Sequence, residues 1–178
     1  MYRNALARYP FATQAITTGF LFSLGDLISQ VGIEQTPLDS YDVKRTRRLG
    51  GFGLFLAGPA MITWYRFLNL KVVIANPQKA LLTRVAMDQL LFAPTFMAIF
   101  FTYNGYMEGE DWEGIKNRLR KGYPSALVGN YTLWPAVQLV NFKYVPLNYQ
   151  ANVVNTVALG WNTYMSYLNK KSSKKIDS

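Results

Sequence analysis

The sequence predicts an all-α protein: an integral membrane helical bundle of four to five membrane helices, with one short amphipathic helix on its surface. Three observations predict it. Half of the 178 residues are hydrophobic, yet mean hydropathy is near zero, because long apolar blocks alternate with short charged loops. The +9 net charge falls at the ends of those blocks: Arg3 and Arg8, then Lys44, Arg45, Arg47 and Arg48, then Lys116, Arg118, Arg120 and Lys121, and last Lys170, Lys171, Lys174 and Lys175. Membrane flanks account for that distribution. A nucleic-acid binder gathers its charge on one face beside aromatics, so no nucleic-acid partner is expected. Third, polar side chains are set into one apolar block after another, which calls for a polar or wet interior.

The first block, 11–33, is long enough to cross about 30 Å of hydrocarbon as a helix. Ala15, Gly19, Ser23, Asp26 and Gln30 form one small-and-polar stripe along it. Such a stripe is either a close helix–helix seam or, at Asp26 and Gln30, the wall of a path. The second block, 49–65, is rich in glycine, and Gly58-Pro59 should kink or interrupt its helix. Trp64-Tyr65-Arg66 would close it as an interfacial aromatic belt. The third, 81–107, carries Pro94 near its middle. In it Arg84 and Asp88 are four residues apart and able to pair along one face.

From 108 to 121 the acids come first and the bases last, the order a helix dipole favours. Trp112, Ile115 and Leu119 share a face there, so a short helix lying on the bilayer is expected. The fourth block, 123–142, holds Trp134-Pro135, and on a helix Trp134, Gln138, Asn141 and Val145 share one face. Amides at that depth must bond one another, another helix or a water-filled path. The sequon Asn130-Tyr131-Thr132 lies inside this block and is expected to stay unmodified. Pro146 separates it from the fifth block, 147–168, which is polar for a lipid-facing helix; Asn155, Asn162 and Ser166 form a stripe on it. A single membrane domain over 1–169 is expected, followed by a disordered basic tail over 170–178.

Cysteine and histidine are absent. Disulfides, thiol nucleophiles, imidazole bases and most zinc or haem sites are thereby excluded, and no cofactor, metal or catalytic set is expected. Only Asp26 and Asp88 lie within apolar blocks. A pair of membrane aspartates can share a proton and activate water. Here the flanking motifs of such proteases are broken, since Asp26 follows Ser23-Leu24-Gly25 and Asp88 follows Met87. No Pro-x-Asp-x-x-Arg repeat of the usual mitochondrial carriers appears. The first ten residues carry two arginines, no acid and no cleavable signal pattern, which is mildly mitochondrial in character.

Taken in order, several short motifs resemble one family. Tyr9-Pro10, Thr13, Thr18-Gly19 and Gly25-Asp26 with Gln30 come first, then Lys44-Arg45-Thr46 with Arg48, Gly58-Pro59 and Trp64-Tyr65. Asp88-Gln89 with Pro94 follows, then Trp134-Pro135, Gln138, Asn141-Phe142, Val145-Pro146, and finally Trp161, Tyr164 and Ser166. This series is similar to the Mpv family of small organelle membrane proteins, which includes the 22-kilodalton peroxisomal membrane protein. The chain departs from the family's pattern at Ile62, where many members have histidine, at Gln150, where arginine is common, and at Tyr131, where tryptophan is frequent.

The resemblance implies an integral protein of the mitochondrial inner membrane or of the peroxisomal membrane, usually with four spans. It also implies a weakly selective channel for small solutes or metabolites that supports organelle homeostasis under stress. Arg84-Val85-Ala86-Met87-Asp88-Gln89 and Trp161-Asn162-Thr163-Tyr164 look most like the fungal stress-inducible mitochondrial members, so the mitochondrial inner membrane is the expected location. The expected partners are the lipid bilayer, small solutes and, because a pore through four or five helices is narrow, further copies of the chain. Asp26, Gln30, Arg84, Asp88, Gln89, Gln138 and Asn141 are the expected interior polar residues. The other reading is a non-conducting scaffold in which the polar stripes are helix–helix seams.

Overall fold

The computed structural model describes the backbone of residues 2–176 and the side chains of residues 2 and 4–161. Its elements are helices: α1 (Tyr2–Arg8), α2 (Pro10–Ile33), α3 (residues 43–71), α4 (Pro77–Met107), α5 (Trp112–Tyr144) and α6 (Leu147–Ile176), with a 3-10 turn at Leu38–Ser40. The stripe residues Asn162 and Ser166 and the expected tail at 170–178 fall outside the residues whose side chains are described. Among the described residues two helices, α2 and α4, are long and apolar enough to cross a membrane. At 1.5 Å per residue they measure about 36 and about 46 Å.

Local chemistry sets the helix starts. Pro10 opens α2 with the φ a first turn needs and no N–H to waste. Asp42 caps α3 by accepting the Arg45 N–H at 2.9 Å. Asn76, just before Pro77, accepts from the N–H groups of Gln78 and Lys79 and so caps α4. Asp111 does the same for α5 through the Gly114 N–H at 2.8 Å. Pro146 stands in the break between α5 and α6.

Three π turns interrupt the α geometry, at Ile28–Ile33, Gly53–Ala57 and Asp88–Phe92. Two of them lie at one spacing ahead of a proline. The Gly58 N–H bonds the Gly53 carbonyl five residues back, just before Pro59, and the Ala93 N–H bonds the Asp88 carbonyl five back, just before Pro94. A proline in a helix removes one bond and crowds the carbonyl four residues earlier; a π turn admits the extra residue that relieves this. Gly58-Pro59 therefore does not interrupt α3, and the helix runs on to Lys71. That extension corrects the reading of Trp64-Tyr65 as an end-of-helix aromatic belt, because the helix continues past Tyr65 to Lys71 and Tyr65 is buried.

The expected surface helix over 108–121 is corrected too. It is the first part of α5, which continues unbroken through Pro124 and Pro135 to Tyr144. The helix starts at Trp112 and not at 108: a turn at Glu108 and Gly109 (φ +82°) precedes Asp111, and Arg118 clamps back onto Glu108 and Glu110. No residue at 121 supplies a stop, and Gly122 lets the Phe101 ring approach closely.

The chain forms two compact units, Met1–Ile62 with Ala151–Ser178 and Thr63–Gln150. In the first unit the stripe on α2 is a seam against α3. A Cβ on Gly58 would lie 2.7 Å from the Ala15 Cα, and one on Gly53 would lie 2.9 Å from the Gly19 Cα. Small residues on both helices thus permit backbone contact. On α6 Asn155 donates to the Thr18 hydroxyl at 2.8 Å. A neighbouring face of α2 turns Ile16, Phe20, Leu27 and Val31 outward, with Phe20 64% exposed. Buried polar and exposed large apolar residues together are the reverse of a water-soluble core and fit a lipid environment.

Gly58→Ala should lower stability by about 1–3 kcal/mol, because the new methyl meets backbone that has no rotamer to change. Gly160→Ala, whose Cβ meets nothing within 4 Å, should leave it unchanged or raise it. Thermal unfolding of both variants in detergent compares them directly.

Candidate functional site

The second unit is built around a carboxylate. Asp88 begins the π turn of α4 and is 2% exposed. Its Oδ1 accepts from the Trp64 indole Nε1 at 2.9 Å, and its Oδ2 accepts from Gln89 Nε2 at 2.8 Å and Gln138 Nε2 at 2.9 Å. All three partners are N–H donors. The two oxygens of a carboxylate accept all three. The π turn matters here, since it lets the adjacent residues Asp88 and Gln89 both point inward.

From Asp88 the hydrogen bonds run on through amides. Gln138 also donates to the Tyr65 hydroxyl at 3.1 Å and accepts from Asn141 Nδ2 at 3.0 Å. Asn141 in turn donates to the Gln150 carbonyl oxygen at 3.3 Å. The Gln150 side chain donates to the Val145 carbonyl at 3.1 Å and accepts from Asn69 Nδ2 at 3.0 Å. Asn69 finally accepts from Arg84 Nη1 at 3.4 Å. Gln89 is held from the far side by Asn130, which donates to its Oε1, and by the Tyr131 hydroxyl, which donates to its carbonyl, each at 3.0 Å. The Asn130 side chain is thus engaged in the interior of α5.

Rings wall the cluster. Trp64 stacks on Phe92 with centroids 5.2 Å apart, Phe92 stacks on Phe96 at 5.4 Å, and Tyr65 meets the Phe142 ring edge-on at 5.7 Å. Stacking fixes the indole so that its N–H aims at the carboxylate.

The expected Arg84–Asp88 pair does not form. Arg84 Nη2 donates to the Val72 carbonyl at 3.2 Å, one residue beyond the end of α3. That is the negative end of a helix, a favourable place for a cation. Among the described residues no cation pairs with Asp88. Two further polar atoms are buried without a partner here, Asn141 Oδ1 and Arg84 Nε. Orphans of this kind cost about 1–3 kcal/mol each when nothing satisfies them.

Asp26 and Gln30 stand in the first unit and meet a different fate. Gln30 Oε1 accepts the Asp42 N–H at 2.8 Å, while its Nε2 donates to Asp26 Oδ2 at 2.7 Å and to the Asp42 carbonyl at 3.1 Å. Thr46 donates to Asp26 Oδ2, and Arg45 Nε lies 2.7 Å from Asp26 Oδ1. Arg45 also makes two 3.0 Å bonds to Glu34. The end of α2 is thereby locked to the start of α3.

Of the other motif residues, Gly58 serves close helix approach, and Pro59 and Pro94 follow π turns. Trp134, Pro135 and Trp161 are partly buried, and Pro146 is exposed at the helix break. Sequence reasoning missed Asn69 and the inward roles of Trp64, Tyr65 and Gln150. The available signal was spacing: Tyr65 and Asn69 are one helical turn apart, and the Asn69 amide donates to the Tyr65 carbonyl at 2.8 Å.

This fold and this site define a class: an all-helical membrane protein with apolar residues turned outward and a buried carboxylate–amide network inside. Comparison with known proteins specifies it further. The model of the Mpv17 / PMP22 family matches residues 105–166. Over 169 residues the chain is 44% identical to protein sym-1 of Neurospora crassa, covering 94% of this chain and 96% of that one. It is 37% identical over 166 residues to the mitochondrial inner membrane protein Mpv17 of Danio rerio, covering 93% of each. To the rat protein of that name it is 39% identical over 166 residues, covering 93% of this chain and 94% of the other. No solved structure matches. The chain belongs to the Mpv17/PMP22 family. It is a protein of the mitochondrial inner membrane.

Two predictions concern the α2–α3 lock. Arg45→Ala strands the fully buried Asp26 carboxylate and should cost about 3–5 kcal/mol in detergent unfolding. Asp26→Asn in the same background should recover part of that loss. The Arg45 hydrogen bonds hold the Glu34 carboxyl below the usual glutamate value. Its stabilisation is therefore complete above about pH 4.3 and fades as pH falls through the lower folded-state value. Glu34→Gln should flatten that acid limb of the stability profile.

Proposed function

We propose that this chain is a small channel of the mitochondrial inner membrane, weakly selective for small solutes or metabolites, and that it supports mitochondrial homeostasis under stress. In this reading α3, α5 and α6 cross the bilayer with α2 and α4, and copies of the chain associate where larger solutes pass. The polar cluster of the second unit lines the route, with Asp88, Gln89, Gln138 and Asn141 as the residues a solute meets. No catalytic step is involved. The carrying observation is Asp88: a buried carboxylate with three neutral donors and no counter-cation among the described residues. A seam has no need of that charge, whereas a ring of amides around a carboxylate replaces part of a cation's hydration.

The scaffold reading has its own support in the first unit. There the Asp26–Gln30 set is closed by Arg45 and Thr46 and the small residues fill a seam. Those contacts account for the α2 stripe without any solute.

Purified protein in a planar bilayer separates the two. The channel reading predicts unitary currents, with cation preference reduced in Asp88→Asn as measured by the reversal potential in a salt gradient. Folded protein that stays silent across voltage and pH supports the scaffold, and currents whose ion preference ignores Asp88→Asn remove that residue from the route.

A further inference from the structure

The charges of the second unit are kept apart by a chain of neutral amides. Arg84 and Asp88 sit one turn apart on α4, yet each is solvated by amides and not by the other. In order, Arg84 donates to Asn69, Asn69 donates to Gln150, Asn141 donates to both Gln150 and Gln138, and Gln138 donates to Asp88. The amide dipoles are oriented to suit their ends. Carbonyl oxygen faces the guanidinium at Asn69, and N–H faces the carboxylate at Gln138.

Gln150 is the junction. Its side-chain oxygen is the acceptor for the Arg84 half, and its backbone oxygen is the acceptor for the Asp88 half. It is 1% exposed, so any charge placed there acts in a poorly screened interior. Its amide donates to the Val145 carbonyl and accepts from Asn69 while carrying no charge.

We propose that Gln150 fixes the charge of this interior: by being neutral at the junction it leaves the Asp88 carboxylate uncompensated, and so makes Gln150 a determinant of which solute charge is admitted. The inference rests on the channel reading for its consequence in transport, while its electrostatic core is testable without transport. Position 150 acts through Asp88: its neutrality, and not its hydrogen bonds, sets the field that a solute meets.

The experiment uses the full chain, reconstituted, with three variants at one position. Gln150→Lys should lower the potassium-to-chloride permeability ratio by about tenfold, which corresponds to about 1.4 kcal/mol, and Gln150→Glu should raise it. Gln150→Leu removes the hydrogen bonds without adding charge; it should reduce thermal stability and leave the ratio as in the parent protein. A charged variant that conducts with an unchanged ratio overturns the proposal, as does a Leu variant that shifts the ratio as far as Lys does. The second measurement is a thermal double-mutant cycle of Gln150→Lys with Asp88→Asn. Coupling, with the lysine tolerated better when Asp88 is present, supports the assignment; additivity overturns it. A silent bilayer together with a coupled cycle overturns the channel reading and the role in solute admission with it, and supports only the electrostatic coupling of position 150 to Asp88.

Discussion

A carboxylate within an apolar helix must be surrounded by proton donors, and the second unit is organised by that requirement. Water and a counter-cation are the usual sources of those donors. Here Trp64, Gln89 and Gln138 supply them, each from a different stretch of chain. Each donor is then fixed in turn. Phe92 stacks on Trp64, Asn130 and Tyr131 hold Gln89, and Asn141 orients Gln138. The π turn that begins at Asp88 brings Gln89 into reach, and Pro94 sits just beyond that turn. A buried polar network in low dielectric is rigid when its members are satisfied, and the few that are not become points of exchange.

The two units answer the same problem in two ways. Asp26 is neutralised by Arg45 and closed over by Gln30 and Thr46, which ties α2 to α3 and leaves nothing for a solute to do. Asp88 is given dipoles only, while Arg84, its neighbour by one turn, is drawn off to the end of α3. Breaking a buried ion pair strands a charge, so the first arrangement is a structural commitment. An amide-solvated charge can exchange one set of dipoles for another at lower cost, so the second arrangement suits passage. This contrast is the reason the channel and scaffold readings find support in different parts of one chain.

Much of this was legible in the sequence because the signals were periodic. The α2 stripe from Ala15 to Gln30 and the inward face of Gln138 and Asn141 both follow from helical spacing. Three kinds of feature were not legible. The π turns depend on how a helix absorbs Pro59 and Pro94, which local propensity does not specify, and so the helix runs on through Gly58-Pro59 by way of a π turn. The fusion of the 108–121 segment with the fourth block depends on Pro124 being accommodated in α5. The absence of an Arg84–Asp88 pair was decided by competition: the end of α3 offered Arg84 a carbonyl, and residues 24 before and 50 after Asp88 offered it donors. Pairing rules for one helix face cannot see partners that distant. Trp64 and Tyr65 were misplaced for the same reason, since an aromatic pair at the end of an apolar block looks the same in sequence whether it meets lipid or a buried acid.

The central claim is that Asp88 is an ionised carboxylate solvated by amides and unpaired with Arg84. Infrared difference spectroscopy of bilayer-reconstituted protein at neutral pH, comparing the parent protein with Asp88→Asn, observes it most directly. The account predicts loss of a carboxylate antisymmetric stretch in that variant and an unmoved band in Arg84→Gln. A protonated-acid carbonyl stretch in place of the carboxylate band, or a carboxylate band that moves with Arg84→Gln, would contradict it.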